Sequence, residues 1–204
     1  MKKAIEQIRS VLPDFQCDSD HPSDVLREFV AQSEKLPNHK RDLMGGRIVG
    51  KVDLILQSHV TFMGVVFVGE GVSVGPYTLI RGPVFLGDGV HIGPHSEIVR
   101  SVFLKDSVVG HKGMICDSVI GENVKIAASF TTANLRMDEN NIESTWEQDS
   151  VDTGGNKGFG VTIGDCARIG ANVFSMPGAY VEPNQTVIGP SLIDSKGKVK
   201  PYVN

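Results

Sequence analysis

Long hydrophobic runs are missing from this sequence. Its most apolar stretch, Val60 to Val68, falls far short of the roughly 20 residues that a membrane-spanning helix needs, so no membrane partner is expected. An excess of one charge is missing too. Twenty Lys and Arg stand against 24 Asp and Glu, a formal net charge of −4, and that mild acidity removes the electrostatic footprint of a nucleic-acid binder. Cysteine is scarce: Cys17, Cys116 and Cys166 are widely spaced, with no CxxC pair and no even framework. This reads as reduced thiols in a cytoplasmic protein. Met1 to Val30 mix charged with apolar residues throughout, unlike a signal peptide. Aromatic residues make up only 6% of the chain, whereas glycine occurs 23 times. Many tight turns around a core of modest side chains point to a repeat architecture.

The repeat has a period of six. Stepping by six from Leu56 gives Phe62, Val68, Val74, Ile80, Leu86, Ile92, Ile98 and Leu104, all large and apolar. Four places after each of Leu56 through Leu104 come Val60, Val66, Val72, Thr78, Val84, Val90, Ser96, Val102 and Val108, all small or β-branched. Gly69, Gly75, Gly87 and Gly93 directly follow the apolar position, as expected where a backbone turns. A helix would show a period near 3.6 and a single strand a period of 2. Each hexad is therefore a short strand and a corner, and three hexads close a triangular coil of about 18 residues. After a break, the pattern resumes at Ile120 and Ile126, then at Ile163, Ile169, Ser175, Val181 and Val187. The fold class is all-β: a single-stranded parallel β-helix with a short helical N-terminal segment. Periodicity does not set its hand.

Residues 1–45 read as a helical cap for an open end of the coil, with Ser23 capping the run Asp24-Val25-Leu26-Arg27-Glu28-Phe29-Val30. Residues 46–190 read as the β-helix, interrupted at about 135–159 by a polar insertion expected to project as a long loop. Residues 191–204 read as a tail.

The chemistry concentrates between Gly110 and Arg136. This block holds His111 with Asp117 six residues on, Ile120-Gly121-Glu122-Asn123 and Thr132-Ala133-Asn134-Leu135-Arg136. Ile163-Gly164-Asp165 and Met176-Pro177-Gly178 follow. Over roughly residues 68–190 the chain resembles the acetyltransferase domain of bifunctional N-acetylglucosamine-1-phosphate uridyltransferase/glucosamine-1-phosphate acetyltransferases. It is closer still to the matching domain of archaeal sugar-phosphate nucleotidylyltransferases. That resemblance implies a left-handed coil, a homotrimer, acetyl-CoA as co-substrate, and an acetyl or acyl group passed to an amino-sugar phosphate or nucleotide sugar.

It also implies roles for single residues. His111 matches the general base that activates the acceptor amine, a task suited to an imidazole titrating near neutral pH. Glu97 matches a glutamate lining the same pocket. Arg81 matches an arginine that contacts the sugar phosphate, and Arg100 lies one place beyond a matching basic pair. Asn134 matches a sugar-binding asparagine and Lys157 a lysine near the acceptor. Ala128, Val173 and Ser175 match backbone positions along the coenzyme's pantetheine arm. Lys196, Lys198 and Lys200 stand where they can meet its phosphates, or form a solvated tail. Met114 stands in place of a substrate-binding tyrosine, Lys125 in place of a sugar-binding asparagine, and Ser129-Phe130 in place of a Gly-Thr pair, so the acceptor need not be glucosamine 1-phosphate. No nucleotidyltransferase motif precedes the helical segment, so no nucleotidyl transfer is expected.

Two other readings compete. A γ-type carbonic anhydrase shares the coil, but His91 and His111 occupy phases of the repeat different from each other and from His59 and His95, and His59, Tyr77 and His95 stack on one column rather than converge on zinc. No metal is expected. A non-catalytic scaffold or regulatory subunit is the third reading, with the helical segment and the Trp146 insertion as binding surfaces. Acetyl-CoA binding separates it from an enzyme.

Overall fold

The computed structural model describes residues 1–35, 46–50, 55–146, 149–153 and 158–201. Two helices, α1 (Lys2–Val11) and α2 (Pro22–Glu34), precede a parallel β-solenoid. Its coils present three faces. The first carries Gly46–Gly50, the end of Thr61–Val68, Val84–Leu86, Val102–Phe103, Val119–Ile120, Val161–Ile163 and Ala179–Val181. The second carries seven strands from Ile55–Leu56 to Thr186–Val187. The third runs from the start of Thr61–Val68 through Leu79–Arg81, Glu97–Val99, Met114–Cys116, Thr131–Thr132 and Val173–Ser175 to Ser191–Ile193. Thr61–Val68 bends round a corner without a break, which joins the first and third faces into one sheet of 14 strands.

The interior is filled as the hexads require. Phe62, Val68, Val74, Ile80, Leu86, Ile92 and Ile98 are buried in one continuous column-packed core. Beyond Ile98 the phase slips by one residue. Phe103, not Leu104, enters the coil, and Leu104 turns outward onto the helices. The interior series then runs through Val109 and Ile115, slips by one residue again, and continues at Ile120 and Ile126. The slip comes at two corners. Arg81 pairs with Val99 and Phe85 with Val102, so only Arg100 and Ser101 fill a turn that takes Gly82, Pro83 and Val84 in the preceding coil. Asp117 and Ser118 make the same short turn one coil later. Arg100 and Asp117 both adopt left-handed backbone there, with φ of 39° and 48°.

The glycines that directly follow the apolar position have a different task from the one expected. At Gly75, a Cβ would stand 2.6 Å from the Pro94 nitrogen of the next coil. The residue is small so that coils can stack, whereas the left-handed turn is carried by Tyr77, His95, Lys112, Ser129 and Asn172 down the corner between the second and third faces. At the top of that corner His59, Tyr77 and His95 stack ring on ring, at 4.9 and 5.2 Å.

The helices lie against the outside of the first face rather than over an end of the coil. Ile5, Ile8, Leu12, Phe15, Leu26 and Phe29 pack on the outward residues Phe67, Phe85, Val102, Leu104 and Val119. Phe29 meets Phe67 and Phe85 edge to face, an arrangement that adds about 0.5–1.5 kcal/mol per pair to the burial. The N-cap of α2 is His21, not Ser23. Pro22, with its preset φ, takes the first helical position, and the His21 ring accepts the Ser23 N–H. Lys3 staples α1 to Glu122 and Asp165 at 3.1 and 3.3 Å.

The described part of the insertion lies against this same face. Glu143–Trp146 and Asp149–Asp152 form an antiparallel hairpin, Ile142 is buried with the helices, and Trp146 packs on Tyr180. Past residue 190, Ser191–Ile193 adds a rung to the third face and Val199–Pro201 closes it antiparallel. Among the described residues, no helix is long and apolar enough to cross a membrane.

Candidate active site

His111 stands at the corner where the second face turns into the third. Gly110 closes the strand, and Lys112 takes the left-handed conformation that aims the turn outward. The imidazole is exposed and meets no side-chain or backbone partner among the described residues. Its backbone is held from both sides. The Lys112 N–H donates to Pro94 and the His111 carbonyl accepts the Ser129 N–H at 2.8 Å. Ala128 therefore lies one rung beyond His111 in the same corner.

The third face starts beside it. The Glu97 N–H donates to the Gly113 carbonyl at 2.7 Å, and Met114 sits in register with Glu97. Glu97 bonds Arg81 at 2.8 Å. The structure thus brings His111, Glu97, Met114 and Ala128 to one end of the third face, and Arg81, at the other end in register with Val99, reaches Glu97 with its side chain. The guanidinium of Arg81, expected to meet phosphate, is already engaged by a carboxylate. Cys116 lies at the far end of the same strand, where burial foremost, and then the charges of Asp117 and Glu97, push its thiol up to about 11.

Arg100 and Asn134 belong to the other corner of this face, and Asp117 joins them. Arg100 holds Asp117 with two nearly parallel bonds of 2.6 and 2.7 Å, and the Asn134 amide donates to the same carboxylate at 2.5 Å. A cavity of about 310 Å³ between this cluster and α2 is lined by Arg27, Thr153, Gly158 and Phe159 among others. The three residues are spaced by 17, the length of a shortened coil. That spacing was the available signal for the cluster, and the hexad count concealed it.

The remaining expected positions are dispersed. Lys125 points outward from the second face, in register with Val108 and Arg168. Val173 and Ser175 face the core, inside the ladder between Thr131–Thr132 and Ser191–Ile193, and Phe174 is the outward residue of that strand. Lys200 bonds Asp194 at 2.9 Å. Lys157 lies outside the described residues. Among the described residues no group of three His, Cys, Asp or Glu side chains is arranged to hold a metal ion. His91 is bonded instead to Ser73 at 2.7 Å.

No family model matches the chain. Among curated proteins, an uncharacterized acetyltransferase, YaiX of Escherichia coli K12, is 32% identical over 87 residues, 43% of this chain and 37% of the relative. The bifunctional protein GlmU of Methanococcus vannielii is 29% identical over a longer match, 76% of this chain and 42% of the relative. A bifunctional sugar-1-phosphate nucleotidylyltransferase/acetyltransferase of Sulfurisphaera tokodaii is 35% identical over 75 residues, 37% of this chain and 18% of the relative. The chain is similar to the hexapeptide-repeat β-helix acyltransferases. It spans less than half the length of each of these relatives, so the likeness is to a part of them.

Proposed function

We propose that this chain, wound left-handed like the enzymes it resembles, is a coenzyme A-dependent N-acetyltransferase of amino-sugar phosphates or nucleotide sugars. The observation that carries the reading is His111: an exposed imidazole with no protein partner among the described residues, on a backbone fixed from both sides. An ammonium cannot attack a thioester. A histidine left unbonded at an exposed corner is available to take the amine's proton as attack begins. The tetrahedral oxyanion calls for backbone N–H donors from a neighbouring coil. Glu97 shares this end of the face, and its carboxylate holds Arg81 in place. The protein works as a homotrimer in the cytoplasm, consistent with its three unpaired cysteines. The test is thiol release from acetyl-CoA against a panel of amino-sugar phosphates and nucleotide amino sugars, run beside His111→Ala. Turnover lost in the variant supports the reading, and no turnover with no acetyl-CoA binding removes it.

One observation favours the scaffold reading. Both arginines expected at the sugar phosphate are occupied, Arg81 by Glu97 and Arg100 by Asp117. In a scaffold those pairs are structural, and acetyl-CoA does not bind.

A further inference from the structure

The outward column of the second face runs Ser73, His91, Val108, Lys125, Arg168, Thr186. Charge enters it only at Lys125 and Arg168, on adjacent rungs that a parallel sheet sets about 4.8 Å apart. Like charges directly opposite each other in a sheet repel. Neither side chain has a carboxylate partner among the described residues. The acids of the neighbouring corner, Glu122 and Asp165, are turned toward Lys3 on the helix side.

Arg168 is nevertheless held firmly. One terminal nitrogen donates to the carbonyls of Asn123, Cys166 and Ala167 at 2.7, 2.9 and 3.0 Å. The rest of its guanidinium fork makes no bond to the described residues. Lys125 is exposed beside it, and the two line a shallow cavity of about 450 Å³ with Ala127, Gly170, Ala171 and Ile188. Ala127 and Ala128 form the rung directly beyond Gly110 and His111. The cation pair therefore flanks a track of small residues that leads to the histidine corner.

We infer that Lys125 and Arg168 form an anion subsite for a phosphoryl group of a ligand whose reactive end lies at His111. A fork already fixed on three carbonyls loses little freedom when it meets a phosphate, and an anion relieves the repulsion between the two rungs. The inference rests on the acetyltransferase reading only for the ligand's identity. Two sources share the chemistry: the phosphates of coenzyme A and the phosphate of a sugar acceptor.

Calorimetry on the full chain separates them, with acetyl-CoA, phosphate-free pantetheine, glucosamine 1-phosphate and inorganic pyrophosphate as probes, for wild type, Lys125→Glu and Arg168→Gln. The Lys125 side chain makes no contact that folding depends on, so Lys125→Glu keeps the fold, checked by circular dichroism. Expected is a loss of about tenfold or more for a phosphate-bearing probe in Lys125→Glu, with pantetheine unchanged and with wild-type affinity falling as salt rises. A loss confined to acetyl-CoA assigns the subsite to the donor, and one confined to glucosamine 1-phosphate assigns it to the acceptor. Pyrophosphate binding that Lys125→Glu abolishes, in a chain that binds no acetyl-CoA, keeps the subsite and removes the acetyltransferase reading. Equal affinity of wild type and both variants for every phosphate-bearing probe overturns the inference, as does a wild type that binds none of them.

Discussion

The first and second faces are built from the same repeat, yet they do opposite things. Both send an apolar residue inward at each rung. Outward, the first face shows Phe67, Phe85, Val102 and Val119, and two helices and a hairpin cover it. The second shows Ser73, His91, Lys125 and Arg168, and among the described residues neither the helices nor the hairpin covers it. A sheet buried on both sides is a wall, and its residues answer to packing. A sheet left open keeps its polar groups for a ligand. The comparison teaches that the inward pattern sets the fold, while the outward residues decide which side of the coil can act.

Substitutions on each side should sort accordingly. On the bare side, His111→Ala should lower acetyl transfer by about 10²–10⁴-fold, the range for losing a general base. Its urea midpoint should stay at the wild-type value, because the ring is exposed and makes no hydrogen bond or ion pair with the described residues. On the covered side, Phe85→Ala should cost about 3–5 kcal/mol by chemical denaturation, with transfer intact wherever the fold is. If Phe85→Ala lost activity without losing stability, the contrast between the faces would collapse. Asp117→Ala removes the shared acceptor of Arg100 and Asn134. It should cost about 1–3 kcal/mol in the same assay, since the Arg100 side chain is 39% exposed and water recovers part of the loss.

Cys116 gives a smaller effect with a sign. Its folded thiol is raised from 9.0 to about 11, so burial favours the neutral form. The stability this contributes is complete below pH 9 and lost as pH rises toward 11, where the unfolded chain ionises first. Thiol labelling at pH 8 should spare Cys116 until the protein unfolds. Smallest of all, Lys3→Ala removes an exposed staple and should leave the denaturation midpoint unmoved at moderate salt.

The hexad count made the coil legible, and the insertion and N-terminal helices could be placed outside it. The count failed at one point for a definite reason. Val102 and Leu104 are apolar because helices cover them from outside, and they kept the sixfold pattern alive where the true interior residue had moved to Phe103. A face buried on both sides hides its own phase. The same slip concealed the cluster of Arg100, Asp117 and Asn134. The glycines were counted correctly, but the space at Gly75 is set by the coil stacked on it, a contact between residues distant along the chain.

By itself, then, the sequence determined a solenoid of hexads and a histidine block resembling an acetyltransferase, because both are local patterns in which neighbouring residues repeat a chemical type. Only the tertiary structure decided which faces are covered, which cations are already paired, and which residues meet across a coil. Those outcomes depend on a stacking register that two one-residue omissions, at Arg100 and at Asp117, were enough to reset.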